Sequence, residues 1–93
     1  MTFLQTHFWP GGTEAQYEAT VAAVHPGGGL PPGQLYHAAG PTEGGMLIAV
    51  VWDEKANAER FLTETLLPAT PVDGGLVGPP EERAAETVSF LKA

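Results

Sequence analysis

The chain contains no cysteine. Disulfide staples and thiolate zinc sites are therefore excluded as sources of stability. Positive charge is almost as scarce: Lys55, Arg60, Arg83 and Lys92 stand against 11 carboxylates, for a net charge of −7. Such a surface repels phosphate backbones and anionic lipid headgroups, so neither nucleic acid nor a membrane surface is an expected partner. No apolar run approaches the roughly 20 residues that span a bilayer. The first residues, Met1 to His7, have neither a basic segment nor a long apolar stretch, so a cytoplasmic location is expected. Ser89 is the single serine and has no nucleophile-elbow context, which argues against serine hydrolysis. The triplet Gly27-Gly28-Gly29 has no Lys-Ser/Thr after it, and no GxGxxG opens a helix, so phosphate and dinucleotide cofactors lack their motifs. No cofactor is expected.

What remains is a chain of 93 residues with 43% apolar content, enough for one domain over 1–93 and a modest core. Its 12 glycines and 9 prolines are clustered and act as punctuation. Phe3 to Trp9 reads as a first strand, ended by Pro10-Gly11-Gly12. Thr13 is a good N-cap, and Gln16 completes a capping box. The helix it opens runs to about His25, with Tyr17, Val21 and Val24 on one face. After a connector over 27–33, Gln34 to Ala39 reads as a second strand, 40–45 as a hairpin loop and Met46 to Trp52 as a third strand. Asp53 caps a second helix with Ala58, Phe61 and Leu62 on its core face, closed by Pro68 and Pro71. A Gly/Pro loop follows over 72–80, and Ala84 to Leu91 reads as the last strand.

The order β-α-β-β-α-β, with right-handed crossovers, predicts an α+β, ferredoxin-like domain. Its four-stranded antiparallel sheet has strand order 4-1-3-2 and both helices on one face. The third strand is apolar on both sides: Met46, Ile48, Val50 and Trp52 face one way, Leu47, Ala49 and Val51 the other. Two helices cover one face only, and an antiparallel sheet whose second face meets water normally alternates. The simplest cover is the same face of a second copy, so a homodimer is expected, with Tyr36 and Ala38 sharing the Leu47 face. The alternative is a central strand apolar on both sides with flanking strands that are not.

Three segments carry a resemblance: Gln34-Leu35-Tyr36-His37-Ala38-Ala39-Gly40-Pro41, then Met46-Leu47-Ile48-Ala49-Val50-Val51-Trp52-Asp53, then Ala58-Glu59-Arg60-Phe61. With the order of elements, they resemble the dimeric α/β barrel superfamily, especially antibiotic-biosynthesis-monooxygenase-like proteins. The resemblance implies two sheets packed face to face and a pocket between sheet and helices in each subunit. The family includes cofactor-independent monooxygenases of polycyclic phenols, polyketide cyclases and haem-degrading enzymes. The haem-degrading set is not matched here: the first strand has no Asn, the second helix has no Trp, and no His follows position 37.

His37 lies in an otherwise apolar strand. A hairpin pairing residues 39 and 46 would set it opposite Ile48, on the face of Met46, Val50 and Trp52. An imidazole there can act as general base or orient a phenolic substrate; its alternative is a core histidine with one hydrogen bond. His7 is in phase with Phe3 and Gln5 on the first strand, beside Trp52 or His37, with a structural role as its alternative. Gln5 would orient a carbonyl or hydroxyl, and Tyr36 and Trp52 would shape the pocket. His25 ends a helix, where the dipole favours a cation, and reads as capping. Two histidines on non-adjacent strands lack metal-site spacing, so no metal is expected. Three functions fit: a cofactor-independent enzyme of the monooxygenase or cyclase type acting on a hydrophobic aromatic or polyketide-like molecule, a non-catalytic small-molecule-binding dimer, or a structural module with a closed core.

Overall fold

The structure is a computed structural model that describes residues 1–93, apart from the side chain of Pro26. Strand β1 (Phe3–Pro10) leads to helix α1 (Glu14–Val24). Strands β2 (Gln34–Thr42) and β3 (Gly45–Trp52) follow as a hairpin. Helix α2 (Lys55–Phe61) continues through a wider π turn, Leu62–Leu66, into a last α turn, Leu67–Ala69. Strand β4 (Glu81–Glu86) closes the chain's only sheet among the described residues, with strand order β2-β3-β1-β4. All three pairings are antiparallel. This is the expected α+β, ferredoxin-like arrangement with the expected strand order. Among the described residues no helix is long and apolar enough to cross a membrane.

The first helix starts as its sequence dictates. The Thr13 side chain accepts from the Gln16 backbone N–H at 3.2 Å, and the Gln16 side chain accepts from the Thr13 backbone N–H at 3.0 Å. Two otherwise unpaired donors are thereby satisfied. The second helix starts differently. Its N-cap is Glu54, which makes no side-chain cap bond, while Asp53 accepts from the Asn57 side chain at 2.7 Å.

The hairpin is tighter than the sequence suggested. Thr42 pairs with Gly45, so only Glu43 and Gly44 turn, and Gly44 takes φ of +85°, a conformation that glycine adopts without a Cβ clash. The shorter turn moves the register by two residues. His37 therefore lies opposite Val50 rather than Ile48, and the even shift keeps it on the same face. At Gly45 the β1 backbone comes so close that a Cβ would sit 2.1 Å from the Trp9 carbonyl oxygen.

The last strand is also corrected: it spans Glu81–Glu86, not 84–91. Glu86 lies opposite Phe3, where β1 begins, and one further bond from the Thr87 backbone N–H to the Thr2 carbonyl ends the pairing. Beyond that point the strand has no partner. Its Glu-Glu-Arg start suits an exposed sheet edge, where charge discourages pairing with other chains.

Both helices lie over the face formed by Phe3, Gln5 and His7 of β1 with Ile48, Val50 and Trp52 of β3. Phe3, Val50, Trp52 and Ala58 form the buried core there, flanked by Ile48 and Phe61. Trp52 is 1% exposed and Met46 2%. The other face is uncovered. Leu4, Leu47 and Tyr36 are 37%, 43% and 50% exposed. The chain after β4 reaches this side, where Phe90 meets Tyr36 edge to face at 5.7 Å.

Candidate functional site

Core packing is densest around Trp52 at one end of the helix-covered face, with Met46 buried at the other end. Over the rest, sheet and helices stand apart and leave a partly open cavity of about 1050 Å³ between them. Its floor is Phe3, Gln5, His7 and Trp9 of β1, with Gln34 and His37 of β2 and Ile48 and Val50 of β3. Tyr17, Val21 and Val24 of α1, His25 at its C-cap, Phe61 of α2 and Leu66 of the π turn form its roof, and the loop around Leu76 one wall. Apolar side chains dominate, and a few polar groups are spaced among them, the composition usual for sites that hold small organic molecules.

A β-bulge decides which residues of β2 reach this space. Gln34 pairs with Trp52 but Tyr36 with Val51, so one residue is extra on β2 and the alternation resets. Gln34 and His37 both face the cavity, and Tyr36 is turned to the uncovered face. Four of the sequence-predicted site residues, Gln5, His7, His37 and Trp52, thus line one cavity. Tyr36 does not: it stands on the opposite face against Phe90, and the role given to it in shaping the pocket has no support in this placement.

The polar groups form three stations. In the first, the Tyr17 hydroxyl and His37 Nε2 are 2.5 Å apart. His37 Nδ1 is buried without a hydrogen-bond partner. Burial pushes the His37 pKa down, and the charge of a protonated His25 would push it the same way. Burial also raises the pKa of Tyr17. Both groups are therefore held in their neutral forms near pH 7. The His25 ring meets His37 edge to face at 5.3 Å and stacks on Phe61 at 5.4 Å. Its backbone N–H caps α1 by donating to Val21 at 2.7 Å. A charged capping ring was expected, yet its pKa is lowered by burial, with a backbone contact at Gly29 opposing in part. Burial against two aromatic rings outweighs the helix dipole here.

In the second station, Trp52 Nε1 donates to Gln5 Oε1 at 2.8 Å. A buried indole fixes the amide and leaves its NH₂ end to donate elsewhere. In the third, His7 Nε2 and a Glu82 carboxylate oxygen are 2.7 Å apart, one strand toward the sheet edge. A carboxylate oxygen accepts, so the His7 Nε2–H donates to Glu82, which leaves Nδ1 as the ring nitrogen outside this bond. Among the described residues no group of three or more His, Cys, Asp and Glu could hold a metal ion.

Sequence reasoning missed Tyr17, Gln34 and Glu82. Tyr17 was counted only as part of an apolar helix face, although a phenol on such a face needs a partner for its hydroxyl. Glu82 falls before the expected start of the last strand, and Gln34, read only as the first residue of the second strand, is turned to the cavity by a bulge that no local signal marks.

No family model and no curated relative matches the sequence. Two solved structures share the fold over nearly the whole chain. One is a Chloroflexus aurantiacus protein assigned to the antibiotic biosynthesis monooxygenases, with a TM-score of 0.69 and 18% identity, covering 99% of this chain and 98% of that one. The other is a mutant of SnoaB, a cofactor-independent oxygenase from Streptomyces nogalater, with a TM-score of 0.66 and 18% identity, covering 99% and 97%. At this identity the likeness establishes a common fold with antibiotic-biosynthesis-monooxygenase-like proteins and carries no catalytic residue across.

Proposed function

We propose that this protein is a small homodimeric enzyme of the cofactor-independent monooxygenase or cyclase type, acting on a hydrophobic aromatic or polyketide-like molecule held in the cavity. The observation that carries the reading is the cavity itself: about 1050 Å³, walled by apolar and aromatic side chains, with His7, Gln5 and the Tyr17–His37 pair among its lining. A structural module has no use for so large a gap in so short a chain, because open space weakens packing. The shared fold with a cofactor-independent oxygenase supports the oxygenase form of the reading.

In that form a base removes a proton from a phenol-activated CH₂ group. The electron-rich anion gives one electron to dioxygen, and the radical pair combines to a hydroperoxide. Loss of water leaves a carbonyl, so one oxygen atom stays in the product and the other departs in water. His7, with its Nδ1 lone pair, is the proton acceptor; Gln5 orients the substrate oxygen; and the Tyr17–His37 pair faces the developing charge. The uncovered apolar sheet face supports the dimer.

The test is aerobic incubation with an oxygen-sensitive tricyclic phenol such as 1,8-dihydroxyanthrone, in the presence of a metal chelator. Oxygen uptake above the spontaneous rate is expected, and His7→Gln should lower it. Tight binding without any acceleration would instead make the chain a non-catalytic binder.

A further inference from the structure

His37 is the ionisable side chain that the sequence presents most directly as a catalyst, but neither of its ring nitrogens is open to the cavity. Nε2 is engaged by the Tyr17 hydroxyl at 2.5 Å, and Nδ1 is buried. A molecule in the cavity reaches the polar end of this pair only at the Tyr17 oxygen. We propose that Tyr17 is the substrate-contacting residue of the pair, donating its hydroxyl hydrogen to a carbonyl or enolate oxygen of the bound molecule, and that His37 is a positioning residue acting through it. This rests on the small-molecule reading given above and assigns a donor within it.

The direction of the hydrogen bond follows from counting donors. One hydrogen lies between the two atoms. If Tyr17 supplied it, the neutral imidazole would carry its own hydrogen on Nδ1, as a buried N–H with no acceptor. Orphaned buried N–H groups are rarer in folded proteins than under-used acceptors. If His37 supplies it, Nε2–H donates to the phenol oxygen and Nδ1 holds only a lone pair. The Tyr17 O–H is then left over, with the cavity as its remaining direction. A relay in which His37 donates to Tyr17 and Tyr17 donates onward to the bound oxygen suits a group that gains negative charge during reaction. It suits a proton acceptor poorly, because taking a proton would place an imidazolium beside His25 in a partly buried site. The two histidines on the cavity floor thus divide the work: His7 accepts the proton, and His37 stands behind a phenol that stabilises the anion.

The experiment uses the intact protein and two probes of one shape, 1-tetralone and tetralin, which differ by a single carbonyl acceptor. Nitrogen-15 NMR of the free protein first identifies the His37 tautomer; hydrogen on Nε2 is expected, and hydrogen on Nδ1 would overturn the inference. Bound to the wild type, 1-tetralone should show its carbonyl stretch at lower wavenumber than in an apolar solvent. Tyr17→Phe should return the stretch to the apolar value and reduce the preference for 1-tetralone over tetralin by about five- to tenfold, with tetralin affinity kept. His37→Gln, whose amide can still donate to Tyr17, should retain most of that preference, and His37→Leu should lose it. Both probes binding with a preference indifferent to Tyr17→Phe would leave the small-molecule site standing and refute the role of Tyr17. If neither probe binds the wild type, the small-molecule reading falls and the inference with it.

Discussion

Replacing Leu47 by glutamate tests whether the uncovered sheet face joins two copies of the chain. Leu47 is central on that face, on the strand flanked by β1 and β2, and 43% of its surface is open. Full burial of a leucine side chain is worth about 2 kcal/mol, so covering the open share contributes roughly 0.9 kcal/mol per copy. A two-fold interface counts every residue twice, which brings the loss to roughly 1.7 kcal/mol, or about 20-fold in the dimer dissociation constant. Two carboxylates brought under one interface add repulsion and desolvation to that figure. Sedimentation velocity across a micromolar dilution series reads the effect directly. The wild type should run at twice its 9.7 kDa mass, and Leu47→Glu should dissociate at concentrations at least about 20-fold higher than the wild type does. A wild type that is monomeric at micromolar concentration would refute the reasoning, and so would a variant that dimerises as tightly as the parent.

Three further outcomes follow from the geometry. Gly45→Ala forces a Cβ into the Trp9 carbonyl, 2.1 Å away, and must part β1 from β3; a loss of roughly 2–3 kcal/mol is expected, seen as a Tm lower by about 10–20 °C. Thr13→Ala removes the side-chain acceptor of the capping box and should cost about 1 kcal/mol in urea unfolding, with an unchanged m-value. His25 and His37 have pKa values held below the ordinary 6.5 in the folded protein, so the unfolded chain binds more protons once pH drops below that value. Their contribution is whole above pH 6.5 and lost as pH falls through the folded values, so thermal unfolding should show Tm declining from about pH 7 downward, with a shallower decline in His37→Gln.

The order of elements, the first helix cap and the strand order were readable because each rests on a local signal that tertiary structure had no reason to override. Thr13 and Gln16 lie three residues apart and find each other within a single turn. Met46 to Trp52 alternate about a strand that is central in the sheet, so both faces read as apolar. The faces of His37, Gln5, His7 and Trp52 also followed from parity, since a register error of two leaves every side chain on its own side. What was not readable depends on pairing. The bulge between Gln34 and Tyr36 adds a residue to β2 only relative to β3, and nothing local to Leu35 announces it. By alternation alone Gln34 shares the Leu47 face with Tyr36, and only the bulge turns Gln34 to the cavity; Tyr36 keeps the Leu47 face that parity gives it, a face the pocket does not reach. Likewise β4 ends where β1 ceases to offer partners, a limit set about 80 residues earlier in the chain. His25 was misjudged because a helix terminus is visible in sequence, whereas the rings of His37 and Phe61 that bury it come from two other elements.

The cavity and the uncovered face are linked through stability. A domain of 93 residues has little interior, and among the described residues the buried apolar ones number only six: Phe3, Val24, Met46, Val50, Trp52 and Ala58. The space between helices and sheet that would otherwise hold more of them is open, and no cysteine is present to staple the chain across it. Burial must be found elsewhere if the open site is to persist, and the largest reserve is the face of Leu4, Leu47 and Tyr36, with Val88 and Leu91 exposed on the tail beyond β4. A second copy on that face, as proposed, would stabilise the sheet from below without filling the cavity above it. Occupancy of the site and association of the chains should therefore reinforce each other: 1-tetralone, by filling the cavity, should raise Tm at fixed protein concentration, and Leu47→Glu, which binds the probe more weakly once dissociated, should lower Tm more at saturation than in its absence. Equal losses with and without the probe would show the two faces of the sheet to be energetically independent.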